Sequence, residues 1–428
     1  MYVDVIGAGL AGCEAAWALA NRNFQVMLHE MKPKKRTPAH RYDGLAELVC
    51  SNSLKAARLG SAAGMLKAEM RLLGSLILEA ADRTAVPAGG ALAVNRQQFS
   101  DCITEKIRSH PNIRLISEEI TEFPEKNTVI ATGPLTSDGF AAAIRERCGD
   151  TLSFYDAAAP IVTFESIDMT RAFFATRYGK GDADYINCPM NKEEYERFYQ
   201  ALVTAETAPL KEFEDLTVYE GCMPVEVLAK RGAESVRYGC MKPVGLTDPS
   251  TGHRPWAAVQ LRKENTEGSL YNLVGFQTNL KFPEQKRVFG LIPGLENAEF
   301  ARYGVMHRNT FLNSPLLLDS RFMLKGSDNV FFAGQMTGVE GYTESAMSGI
   351  IAGISLARRL LGESELVLPE TTMCHALCRH VSTENKDFQP MGANMGMLPT
   401  LDVHIRNKQE RYEMMAQRGL NDIQNVLK

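Results

Sequence analysis

Apolar positions in this chain fall into short blocks, and their spacing predicts an alternating order of strands and helices. Residues 2–6 (YVDVI) read as a strand, an apolar helix follows the glycines at 7–12, and a second strand closes on Glu30. A polar basic loop (32–41) and a helix-rich region (51–82) come next, then AVPAGGALAV (85–94), a turn between extended segments. Residues 97–110 carry the pattern of an amphipathic helix, and 113–116 and 128–132 read as strands, the latter running into ATGP. Between 150 and 300 the texture changes: aromatic-rich segments (FYDAAAPIVTF, YINCPM, LYNLVGFQT) alternate with charged helical ones such as NKEEYERFYQAL. Residues 302–312 lead back to the first pattern, and 330–332 break into a glycine turn at Gly334 and Gln335. A small-residue helix (344–353) follows, and the mixed region 366–428 ends in a charged helix from Ile405 to Leu427.

The glycines give this order a meaning. In Gly7-Ala8-Gly9-Leu10-Ala11-Gly12 the first glycine permits a tight turn, the second lets backbone N–H groups approach a pyrophosphate, and the third lets helix pack close on strand. The helix N-terminus adds partial positive charge, and Glu30 stands where a ribose would be held. A strand ending in Thr132-Gly133 and the turn at Gly334-Gln335 continue the pattern of proteins that bind FAD. The predicted fold is α/β, a Rossmann-type FAD-binding domain (glutathione-reductase-like) with an inserted α+β domain. Its expected division is 1–150 for the first part of the FAD domain, 151–300 for the insert, and 301–428 for the second part with C-terminal helices. Gly341, Tyr342 and Ala346, at the start of the small-residue helix, complete the expected cofactor contacts.

Composition narrows the class. The 428 residues are 45% hydrophobic and 23% charged, as in an ordinary globular protein with room for more than one domain. No apolar run is long enough to span a membrane, and the N-terminus enters a strand at once, so a leader peptide is not expected. Nine scattered cysteines without paired spacing point to reduced thiols and a cytoplasmic location. With a net charge of −4, nucleic acid binding would need a local patch. The loop with Lys32, Lys34, Lys35, Arg36 and Arg41 is one candidate, and Arg302, His307 and Arg308 are another; a solvated face is the plain alternative.

Two cysteines occupy unusual positions. Cys50 precedes Ser51-Asn52-Ser53, strong N-cap residues that predict a helix from about Leu54. Cys222 precedes Pro224, which suits a first helical turn. A helix N-terminus would favour thiolate at both, and thiolate is the form that attacks carbon. Two small buried cysteines are the competing reading. Cys374 and Cys378 in CHALCRH stand one helical turn apart, but the spacing carries no second half of a metal site, and no metal is expected.

Together these blocks resemble the folate- and FAD-dependent tRNA (uracil-5-)-methyltransferases, the TrmFO family, formerly Gid. The matching segments run over essentially the whole chain and include VIGAGLAGCEAAW, AELVCSNSL, VPAGGALAV, ATGPLTS, EGCMPVEV, MKPVGL, YGVMHRNTF, FFAGQMTGVEGYTESA and FQPMGANMG. The resemblance implies formation of 5-methyluridine in the T loop of tRNA. The carbon would come from 5,10-methylenetetrahydrofolate and the reducing equivalents from NADH or NADPH through FAD. It makes Cys222 the nucleophile at uracil C6 and Cys50 the assisting thiol that handles the C5 proton. Tyr342 would wall the pterin, with a core aromatic as the alternative, and Glu340 and Glu344 are candidates for recognising its amide. No membrane and no stable protein partner are implied. Three rivals remain at this point: the same chemistry on ribosomal RNA, a plain flavin NAD(P)H oxidoreductase, and an FAD-stabilised RNA-binding module.

Overall fold

The structure is a computed structural model. It describes every residue except 38, 126, 150–151, 158, 180–181, 209–222, 266–267, 305, 328, 386–387 and 428, and for 152–157 and 306–310 it describes the backbone alone.

The first apolar blocks form a parallel sheet. Its strands lie in the order Val330–Phe332, Thr128–Ile130, Tyr2–Ile6, Gln25–Glu30 and Ile113–Ser117, all parallel. The strand before ATGP thus lies beside the first strand, as its sequence predicts. Helix Leu10–Ala20 follows the glycine loop and packs lengthwise on helix Tyr342–Leu361. Small residues set that close approach. A Cβ on Gly349 would collide with the carbonyl of Ala11, and one on Gly353 would lie 2.8 Å from the carbonyl oxygen of Ala15. Because 11 meets 349 and 15 meets 353, the two helices run in the same direction.

The chain leaves this unit along strand Leu152–Ala157 and returns along Met306–Phe311, an antiparallel pair with Leu152 opposite Phe311. Between them stands a six-stranded sheet in the order Phe173–Phe174, Tyr185–Met190, Ala257–Lys263, Leu270–Leu273, Ile161–Thr163, Phe300–Arg302. Helix Lys192–Val203 packs on it and starts with a capping box between Asn191 and Glu194. Among the described residues there are two large cores. One joins residues from Val3 to Ile144 with residues from Leu312 to Ile423, and the other runs from Val162 to Ala298. Strand Phe300–Arg302, at the expected boundary of 300, belongs to the second sheet.

The region after Cys50 departs from expectation. Instead of a helix from about Leu54, residues Ser53–Ala56 form a strand paired with Ala91–Val94, and the helix begins only at Ala62, capped by Ser61. The side chains expected to cap a helix are used in tertiary contacts: the Asn52 side-chain amide donates to the carbonyls of Val94 and Lys263. Cys50 therefore does not stand at the start of a helix in its own segment.

Candidate active site

At the carboxyl edge of the parallel sheet, the loop after Tyr2–Ile6 opens on a cleft lined by Gly7, Gly9, Glu30, Thr132 and Phe140. Gly7 has φ +96°, and a Cβ there would lie 2.7 Å from the Ala131 carbonyl oxygen. A Cβ on Gly12 would collide with the Gly7 carbonyl, whereas one on Gly9 would meet open space. The helix beginning at Leu10 has no side-chain cap and no acid in its first turn, so its N-terminal N–H groups face this space. Ala8 N–H donates to Glu30 Oε2 at 2.9 Å, which anchors the carboxylate at the cleft. Gly133 takes φ +72° after its strand. These residues fit the pyrophosphate and ribose of a dinucleotide such as FAD. The open space over Gly9 is the observation that carries this fit.

The second glycine turn lies at the same edge. Gly334, at φ +89°, donates its N–H to Ser348 Oγ at 2.7 Å. Gln335 Nε2 donates to Glu340 Oε2 at 2.7 Å, which ties Glu340 to the turn. Gly341, at φ +122°, precedes helix Tyr342–Leu361, so the N-termini of both packed helices sit at one end of the sheet. Leu10, Ala11 and Ala346 are buried, and Ala346 brings no side chain to a surface. Glu344 is fully buried as well. Its carboxylate accepts from Lys55 Nζ at 2.7 Å, from Ala393 N–H at 3.0 Å and from Thr343 Oγ1, so the structure commits it internally rather than to a ligand. Burial would raise this carboxyl, but Lys55 and these donors hold it below its usual range.

Tyr342 joins this end of the sheet to Cys50. Its hydroxyl lies 2.9 Å from Cys50 Sγ and accepts the N–H of Cys50 at 2.8 Å and of Ser51 at 3.2 Å. Burial, then the adjacent Cys50, pushes this hydroxyl well above the usual tyrosine range, so it remains neutral.

Arginines surround the same turn. Arg96 Nη1 donates to the Leu48 carbonyl at 2.8 Å, and Arg302 Nη2 donates to the Val49 carbonyl. Arg262 donates to Ser51 Oγ at 2.8 Å and to Asn52 Oδ1 at 3.0 Å. Glu264, 4% exposed, pairs with Arg96. Burial, then neighbouring Arg96, lowers Arg302 to about 10, still charged at neutral pH. Arg302 is thus drawn inward, not presented to RNA as its sequence suggested. Arg96, Arg262, Glu264 and Lys55 are site residues that the sequence did not single out. The signals available were a charged residue within the apolar run AAVQLRK and, for Lys55, a left-handed backbone at φ +63° that a sequence does not reveal.

The basic loop is largely neutralised. Lys35 Nζ lies 2.6 Å from Glu119, Arg36 pairs with Asp43, and Lys32 is buried against the carbonyls of Tyr42 and Gly44. His307 and Arg308 lie on strand Met306–Phe311, but their side chains are outside the described residues. Cys222 is also outside them; helix Val225–Lys230 begins shortly after, with Pro224 as its N-cap. Cys188 is fully buried mid-strand, and burial pushes its thiol up to about 12. Cys374 and Cys378 are buried in helix Met373–Ser382, and among the described residues no group of three or more His, Cys, Asp or Glu side chains is arranged to hold a metal.

Comparison with known proteins agrees with this geometry. A family profile described as "Glucose inhibited division protein A" matches residues 2–364. Methylenetetrahydrofolate--tRNA-(uracil-5-)-methyltransferase TrmFO of Acetivibrio thermocellus is 58% identical over 98% of this chain and 97% of its own. The protein of the same name from Bacillus subtilis is 56% identical over 100% of this chain and 98% of its own. Among solved structures, Aquifex aeolicus GidA in its form II crystal superposes with a TM-score of 0.72 at 16% identity, covering 99% of this chain and 72% of that one, a likeness of fold. With relatives this similar over its full length, and with its glycine cradle and fold in agreement, the chain belongs to the TrmFO family.

Proposed function

We infer that this protein is a methylenetetrahydrofolate–tRNA (uracil-5-)-methyltransferase that works with bound FAD. The carrying observation is identity of 56–58% to TrmFO proteins along the whole chain. It is supported by a dinucleotide cradle whose two helix N-termini lie at the same sheet edge to which Tyr342 ties Cys50. Bound FAD supplies the hydride equivalent that turns the transferred carbon into a methyl group, and NADH or NADPH restores it. The parallel-sheet core provides the FAD side, and the second core provides the RNA side.

The chain's own residues have separable tasks. Uracil C5 is a poor nucleophile, and addition of the Cys222 thiolate at C6 makes it reactive by giving the ring enolate character. The charge that develops on the carbonyl oxygen requires hydrogen-bond donors beside it. Cys50 removes the C5 proton after the one-carbon unit is attached. The target uridine, in the T loop of tRNA, leaves its stack to reach the site, at a cost of about a few kcal/mol that RNA contacts offset.

The test is incubation with unmodified tRNA, NADPH and methylenetetrahydrofolate labelled in its methylene, without S-adenosylmethionine. Label recovered as 5-methyluridine in the T loop is the expected result. Bound flavin and NADPH consumption with no label in tRNA would overturn the assignment and point to a ribosomal RNA target or a plain oxidoreductase.

A further inference from the structure

The turn carrying Cys50 is gripped by guanidinium groups from three separate elements. Arg96 opens helix Arg96–Ser109, Arg262 lies on strand Ala257–Lys263, and Arg302 ends strand Phe300–Arg302. Between them they bind the Leu48 and Val49 carbonyls and the side chains of Ser51 and Asn52. Asn52 is fully buried and Arg262 is 7% exposed, so this is an enclosed contact. Among the described residues around the turn, Glu264 pairs with Arg96 and also faces Arg262 and Arg302, and the Tyr185 phenol faces Arg262, so three guanidinium groups meet one carboxylate. On the remaining side the neutral Tyr342 hydroxyl meets the sulfur. Arg262 and Arg302 belong to the six-stranded sheet, whereas the adjoining Leu48 and Leu54 belong to the parallel-sheet core.

On the reading that Cys50 is a working thiol of the enzyme, we propose that Arg262 and Arg302 are positioning residues that fix its turn and hold it as the thiolate. Nearby positive charge and a hydrogen bond to sulfur both favour the ionised form. A backbone gripped at successive residues keeps the thiolate in one place. Because the segment after Cys50 is a strand and not the helix expected from sequence, ionisation rests on these surrounding groups. The second sheet thereby contributes to the chemistry at a residue it does not contain.

Alkylation of Cys50 by iodoacetamide in the full-length FAD-loaded protein, mapped by peptide mass spectrometry across pH, tests this. Arg302→Gln and Arg262→Gln should each raise the midpoint by about one pH unit and slow alkylation about tenfold at pH values well below the midpoint. In the same variants kcat for methylation should fall while KM for tRNA holds, with kcat recovering as pH rises. Arg302→Lys, which keeps the charge, should retain the wild-type midpoint. Glu264→Gln removes the countercharge and should move the midpoint the other way, so it remains informative should the arginine variants fail to fold. Folded arginine variants with unmoved midpoints, or Glu264→Gln with an unmoved or raised one, would overturn the proposal. Cys50→Ala separates the underlying reading: an inactive Cys50→Ala beside unmoved midpoints removes only the positioning role, whereas an active Cys50→Ala removes the role of the thiol in the reaction.

Discussion

The hydroxyl of Tyr342 stands 2.9 Å from the sulfur of Cys50 and 2.8 Å from its backbone nitrogen, across 292 residues of sequence. One phenol thus connects the helix that packs on the glycine-loop helix to the turn carrying a candidate catalytic thiol. The sequence suggested Tyr342 as a wall for a pterin ring. Its ring, which is half-buried, remains available for that, while its hydroxyl has a second task.

Tyr342→Phe isolates that second task, because it keeps the ring and removes the hydroxyl. The N–H groups of Cys50 and Ser51 then lose their acceptor. Both donors are only part-buried, so water takes up some of the loss, and the pair together should cost about 1–3 kcal/mol. Urea denaturation should show a loss in that range, with flavin content retained and methylation reduced. Full stability and full activity would mean that the contact does not matter in solution.

How much of this was legible in the sequence follows from the range of the interactions. The first strand–helix–strand unit, its glycine cradle and Glu30 were legible because each rests on residues close together in the chain: Ala8 and Glu30 are 22 apart, with one helix between them. The surroundings of Cys50 were not. Asn52 meets Arg262 from 210 residues away, and that contact draws the SNS segment out of the cap geometry that local propensity favours. The basic loop misled for a similar reason, since Glu119, which pairs with Lys35, comes from a distant segment.

Gly9 and Gly12 should respond differently to the same added methyl. In Gly12→Ala the new Cβ collides with the Gly7 carbonyl, so the fold is strained with or without cofactor. In Gly9→Ala it enters open space, and the backbone φ of −73° suits alanine. Thermal melting of the flavin-stripped proteins should therefore fall for Gly12→Ala and hold for Gly9→Ala. Flavin absorbance should fall in both, with affinity in Gly9→Ala lower by at least about tenfold, the worth of one charge-assisted contact. Equal flavin affinity in Gly9→Ala and wild type would place the pyrophosphate elsewhere.

Glu344 gives a pH-dependent term. Its carboxyl is held below the usual range in the folded state, so the stabilisation is present above the unfolded carboxyl pKa and is lost as pH falls through the folded one. Glu344→Gln should cost about 1–2 kcal/mol at neutral pH, a moderate value because Lys55 is half exposed and solvent screens part of the pair. The gap between wild type and variant should narrow in acid. A gap that stays constant down to strongly acidic pH would show that the hydrogen bonds, not the charge, carry the effect.

The basic loop bears on RNA binding through its salt dependence. A cation that contacts a phosphate displaces a counterion, and each such contact contributes about 0.7–0.9 to the slope of log affinity against log salt. Lys35 and Arg36 already have Glu119 and Asp43 as partners, so an approaching phosphate would have to displace a carboxylate and would meet its repulsion. Both pairs are partly exposed, which makes exchange feasible but of little net gain. Replacing both residues with glutamine should then change the tRNA salt slope by less than about 0.5 in total. A drop approaching about 1.5 would mean that these residues leave their acids and hold phosphates directly in the complex.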